Sequence, residues 1–104
     1  MSERDAYREK MKAQIDEFDA EIDRLLAKAR KAKADAKIDY EKQIDELRGK
    51  RKEIAQKMDA LESASGDAWK DLKQGLENSW EILKKSLSQA KEKFERGYEE
   101  GKQE

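Results

Sequence analysis

The sequence predicts an all-α fold, arranged as a long antiparallel helical hairpin with eleven-residue packing repeats. Three observations carry that expectation. Proline, cysteine, histidine, valine and threonine are absent, which removes the main helix breaker and the strongest strand formers. Apolar residues recur in steps of three and four, the spacing of a helix face. One clear turn signal, Ser63 to Asp67, divides the text into two periodic segments.

Composition limits the function classes. At 104 residues the chain is expected to form a single domain, 1–104. Charged residues make up 47%, but 24 basic side chains against 25 acidic ones leave a net charge of −1. That balance argues against nucleic acid as a partner, which calls for a basic excess. Without cysteine there is no disulfide, thiolate metal site or thiol nucleophile, and without histidine the commonest general base and zinc ligand are gone. The first ten residues, MSERDAYREK, lack the apolar stretch of a signal peptide, and no later run is long enough to cross a bilayer. A cytoplasmic protein is the expectation. Leu, Ile and Phe contribute only 16 of 104 residues, a share that raises disorder as an alternative. The small net charge and the regular spacing oppose it.

The first helix is expected over about residues 3–62. Ser2 followed by Asp5 resembles an N-cap with its returning carboxylate. The apolar face then runs Tyr7, Met11, Ile15, Phe18, Ile22, Leu25/Leu26, Ala29, Ala36, Tyr40, Ile44, Leu47, Ile54, Met58 and Leu61. Columns repeat every eleven residues, as in Tyr7/Phe18/Ala29/Tyr40 and Leu25/Ala36/Leu47/Met58. Eleven residues in three turns imply straight or slightly right-handed packing, unlike the left-handed heptad. The turn is expected at 63–67, with Gly66 as the stop and Asp67 as the new cap, and the second helix at about 67–100.

Residues Ala27 to Ala36, AKARKAKADA, decide between two architectures. The apolar face thins there to alanine beside lysine, yet nothing in it breaks a helix. A bend near 30–36 would close a three-helix bundle. The absence of turn chemistry favours the hairpin, with a first helix roughly 90 Å long. Its second helix would cover only the later half of the first. Tyr7, Met11, Ile15, Phe18, Ile22 and Leu26 would then need a second copy, at roughly 1.5–3 kcal/mol of burial each. The hairpin therefore predicts a homo-oligomer joined through those six side chains.

Charge bands accompany the apolar repeat. Residues 14–23 hold five acids and no base, 24–34 five bases and no acid, 35–46 are net acidic and 48–57 net basic. One reading is register control, since an antiparallel or band-shifted copy meets opposite charge along its length. The other is a solvated face with local pairs such as Glu46/Lys50. Asp19 and Asp23 sit one turn apart, but hard-cation sites usually draw ligands from loops or several helices, so neither metal nor cofactor is expected. Serine without histidine, convex carboxylate faces and the lack of a glycine-rich phosphate loop predict neither an enzyme nor a small-molecule substrate.

In the second helix Trp69, Leu72, Leu76, Trp80, Leu83, Leu87, Ala90, Phe94 and Tyr98 fall in one narrow stripe. One flank is small (Gly75, Ser86, Gly97 and Ala68, Ser79, Ala90, Gly101), and the other carries Lys73, Lys84, Lys91 and Lys102. The small flank favours close approach of a neighbouring helix, with the indoles packed on the Tyr40–Leu61 half of helix one. Lipid is the alternative, because Trp and strong amphipathicity also suit an interfacial helix.

The block ASGDAWKDLKQGLENSWEILKKSLSQAKEKF, preceded by ADAKIDYEKQIDELRGKRKEIAQKMDAL, resembles a widespread bacterial family of small coiled-coil stress-response proteins. The likeness spans roughly residues 5–95 and centres on the Ser-Gly-Asp-Ala-Trp turn with a second Trp eleven residues later. It implies a helical, non-enzymatic, self-associating protein and supplies no catalytic residues. A fainter similarity links the eleven-residue spacing to apolipoprotein-like and desiccation-protective repeats. The functional expectation is a structural or interaction protein that self-associates into an extended, stress-related assembly. Reversible membrane-surface binding through the Trp-containing helix is the alternative.

Overall fold

The computed structural model describes the backbone of residues 2–103 and the side chains of residues 2–95. These residues form three α-helices and no strand: α1 (Glu3–Arg30), α2 (Ala34–Glu62) and α3 (Gly66–Gln103). Ser2 caps α1 as its position predicts, accepting a 3.2 Å hydrogen bond on Oγ from the Asp5 amide. The helices lie side by side in a rod of 57 × 21 × 16 Å.

Pairings fix the directions. Arg51 meets Asp19 and Arg8 meets Glu62, so α2 runs antiparallel to α1; in both pairs the residue numbers add up to 70, which centres the pairing on residue 35. Lys50 with Ser86 and Lys57 with Ser79 make α3 antiparallel to α2. Tyr7 with Trp69 and Phe18 with Trp80 make α3 parallel to α1, at a constant offset of 62 residues.

The continuous helix over 3–62 expected for a hairpin is therefore two helices, and the architecture is the three-helix bundle. Burial outweighs local propensity. Interrupting a helix forfeits about four backbone hydrogen bonds, each worth about 1 kcal/mol net. The bend brings α1 against α2 and α3 and buries Tyr7, Met11, Ile15, Phe18, Ile22 and Leu25, a gain of roughly 10 kcal/mol. One apolar core runs the length of the rod, and no polar or charged residue is buried among the described ones.

The two connections differ in kind. At the first, Lys31 (φ −92°, ψ −5°) and Ala32 close a tight end, donating 3.1 Å bonds to the carbonyls of Lys28 and Ala29. Lys33 then swings to extended backbone (φ −64°, ψ 154°) as the N-cap of α2. At the second, Ser63 Oγ donates to the Asp59 carbonyl at 3.0 Å, and Arg4 Nη1 reaches across to the Ala64 carbonyl at 2.9 Å. The Ser65 carbonyl accepts from the Trp69 amide at 2.8 Å. Gly66 opens α3 here instead of stopping α2, and no described residue has positive φ, so the left-handed glycine stop expected at that position is not used. Among the described residues, no helix is long and apolar enough to cross a membrane.

Candidate functional site

The α3 stripe is the most regular surface in the chain, and the structure turns most of it inward. Trp69, Leu76, Trp80, Leu83, Ala90 and Phe94 are buried and Leu87 is half-buried, whereas Leu72 stands at the rim. The side chain of Tyr98 lies outside the described residues. Tyr7 meets Trp69 edge-on, with centroids 5.9 Å apart and planes at 75°, and Phe18 meets Trp80 at 6.2 Å and 67°. These are equivalent rungs, eleven residues apart on both parallel helices, with the offset geometry favoured by aromatic quadrupoles. The next step of the ladder, Ala29 and Lys91, carries no aromatic ring; farther along α3, Phe94 stacks on Tyr40 of α2 at 4.0 Å. The rings of both indoles thus meet the tyrosine and phenylalanine rings of α1, while Met58 and Leu61 of the expected Tyr40–Leu61 segment line the same cavity as Trp69.

The two flanks of α3 face different helices. On the lysine flank, Lys91 pairs with Glu21 at 3.0 Å and Lys73 with Glu3 at 3.9 Å, both on α1. The Lys91 hydrogen bond holds the Glu21 carboxyl below the usual glutamate range against the opposing effect of burial, with further help from the charges of Lys91, Arg24 and Lys28. On the small flank, Ser86 and Ser79 accept hydrogen bonds from Lys50 (2.8 Å) and Lys57 of α2. A Cβ on Gly75 would touch nothing within 4 Å. Close backbone approach is therefore not what this glycine provides; the serines act as polar partners for lysines.

The six residues assigned to self-association are occupied within the chain. Tyr7, Met11, Ile15, Phe18 and Ile22 are buried, and Leu26 packs half-buried against the same core. The overhang that required a second copy disappears once α1 folds back. Band pairing is also met internally: at i against 70 − i, the acidic 14–23 band lies opposite the basic 48–57 band. Arg51 forks onto both oxygens of Asp19, at 2.7 and 2.9 Å, and that hydrogen bond raises the guanidinium's proton affinity. The carboxylate considered for a cation is thus engaged by arginine. Among the described residues, no group of three or more acidic side chains gathers into a cation site.

Where the rod closes over the second connection, residues including Arg4, Tyr7, Arg8, Leu61 and Trp69 line a cavity of about 170 Å³. Arg4 lies 5.6 Å from the Trp69 ring centre, and Lys73 lies 5.1 Å from that ring and 4.8 Å from Tyr7. The aromatic faces a ligand would stack on are taken by the protein's own cations. The Tyr7 hydroxyl is buried with no hydrogen-bond partner among the described residues. Burial, and secondarily the charge of Glu77, push its pKa up to about 12. Arg4 did not stand out in the sequence, where it is one charge among many, and Lys73 was marked only as part of the lysine flank of the second helix; their meeting over Trp69 follows from the parallel packing of α1 and α3. A scan against protein-family models finds no match for this chain, and neither comparison with curated proteins nor comparison with solved structures finds one.

Proposed function

We propose that the chain is a non-enzymatic structural or interaction protein that self-associates through its amphipathic helices, acting in the cytoplasm in a stress-related role. One observation carries this reading. Residues 3–62 are self-complementary when run antiparallel, in charge and in apolar phase, about a point near residue 35. A segment that pairs with itself in this way presents the same complementarity to another copy. The resemblance to bacterial coiled-coil stress proteins agrees with it. Sedimentation velocity over a concentration series is the test: association that strengthens with concentration supports the reading, and a compact monomer throughout sinks it.

Lipid-surface binding through α3 is a second reading, favoured by the sharper separation of apolar and polar faces on α3 than on α1 or α2, and by exposed Ile82. Because its stripe is buried in the bundle, α3 would have to detach first. Both indoles start buried, so an emission shift is a poor reporter. Quenching of Trp69 and Trp80 by brominated lipid in anionic vesicles, with co-sedimentation, is the measurement, and its absence removes the reading.

A further inference from the structure

We propose that the Lys31–Lys33 connection is a domain-swapping hinge. By straightening, it joins α1 and α2 into one helix and converts the three-helix monomer into a two-fold dimer in which α1 packs on α2 and α3 of a second copy. The inference deepens the self-association reading by naming its geometry.

Three features of the hinge support it. First, the bend contains no residue that requires a bend. It has no glycine, no proline and no positive φ, and alanine and lysine are strong helix formers. Lys33, whose ψ of 154° is extended, would rotate to the helical value. The tight bonds of Lys31 and Ala32 to the carbonyls of Lys28 and Ala29 would then give way to the regular ladder.

Second, the apolar face stays in phase across the bend. Phe18, Ala29 and Tyr40 are spaced by elevens, as are Leu25, Ala36 and Leu47, so both columns bridge residues 31–33 without a stutter. Five of these six side chains are buried, and Ala36 packs half-buried against the core. A straightened helix would carry them all on one side. A bend specified by its own sequence has no need to preserve this phase.

Third, the pairing centre coincides with the hinge. Since residue i of α1 lies opposite 70 − i of α2, the pairing is symmetric about residue 35, two positions beyond the hinge. Two straight copies crossing antiparallel there reproduce every α1–α2 contact twice, including Arg51 with Asp19. The interface is isologous and closes as a dimer. Contacts within each bundle are retained, so the monomer–dimer balance rests on the hinge and on concentration.

Ala34→Pro separates the two states. Ala34 is the first residue of α2 and follows extended backbone, where proline fits the bent form. In a continuous helix the same proline lies in the interior and is strongly unfavourable. Parent and variant would be unfolded, refolded at high and low concentration, and analysed by sedimentation. As the chain lacks cysteine, Glu17→Cys/Lys52→Cys can carry spin labels, diluted with unlabelled protein so that only distances within one chain are read. In the monomer these exposed sites face each other across α1 and α2, about 20 Å apart including linkers. In the swapped dimer the 35-residue separation along one helix is about 52 Å.

The expected result is a parent dimer after concentrated refolding with the long distance dominant. The Ala34→Pro variant should melt no lower than the parent, with its dimer fraction reduced about a hundredfold or more. A dimer that keeps the short distance, or a variant that dimerises as readily as the parent, overturns the hinge while leaving self-association standing. A parent that stays monomeric under all conditions overturns both.

Discussion

The two connections reverse the chain equally sharply but are held by different forces. At 63–65 the backbone is pinned by neighbours: Ser63 on Asp59, Arg4 on Ala64, and the Ser65 carbonyl on Trp69. At 31–33 the residue types are those of a helix interior, and apolar contacts flank the bend on both sides. Side-chain bonds from Ser63 and Arg4 reinforce the second turn, whereas the first is closed by the backbone bonds of Lys31 and Ala32 within a stretch of helix formers. The difference teaches that a loop's appearance in a folded chain does not reveal how firmly its own sequence commits to it.

The comparison breaks most severely at Phe94, which stacks on Tyr40 near the hinge and is 1% exposed. Phe94→Ala should cost about 3–5 kcal/mol in urea unfolding, a loss that a turn held by its own chemistry would not depend on. Next comes Tyr7, at the opposite end. Its folded pKa is raised to about 12 from an ordinary value of 10. The stabilisation linked to the neutral hydroxyl is therefore complete below pH 10 and lost as pH climbs towards 12, by about 2 kcal/mol. Paired unfolding curves for the parent and Tyr7→Phe should diverge in this interval, with the variant losing less stability. At neutral pH Tyr7→Phe should be neutral or stabilising, because it removes a buried hydroxyl that has no partner among the described residues.

Arg4→Ala removes the brace on the second connection and the cation over Trp69. Since the brace is exposed, the expected loss is about 1 kcal/mol, read as a lower thermal midpoint. Gly75→Ala should shift stability by a similar amount in the other direction, gaining about 1 kcal/mol, because the added Cβ meets open space. The smallest effect is expected of Glu21→Gln, a few tenths of a kcal/mol at neutral pH. Glu21's depressed pKa means its contribution is present above the usual glutamate value and fades as pH falls through the folded one. The variant's stability should accordingly decline less on acidification.

The helical class, the N-cap at Ser2, the second turn and the inward stripe of α3 were all legible in the sequence, because each is written in local spacing or in a turn residue. The hinge was legible only as the alternative: the apolar face thins to alanine at 27–36, which marks a bend near 30–36 as the competing architecture. Residues 27–36 are nearly all helix formers and the eleven-residue phase runs through them unbroken, so propensity and periodicity favour the straight helix over the bend that long-range burial imposes. Of the site residues, Met11 and Ile15 were identifiable as apolar contacts, but their partner depends on that bend and was assigned to another copy. The charge bands leave register control and a solvated face with local pairs both open; Arg51 with Asp19 joins two bands inside one chain, and Arg24 with Glu21 is a local pair. Gly75 misled for another reason: small size permits close approach without requiring it.

Equal rungs also make the rod a stack of like units. Tyr7/Trp69 and Phe18/Trp80 are separated by three helical turns on both strands of the pair, a step of about 16 Å. Length can therefore change in whole quanta. One extra eleven-residue unit at the same level of all three helices would leave each existing ring pair facing its partner and lengthen the rod by one step. A unit of five would turn the faces by roughly 140° and out of alignment. The bundle is in this sense a ruler graduated by its aromatic pairs.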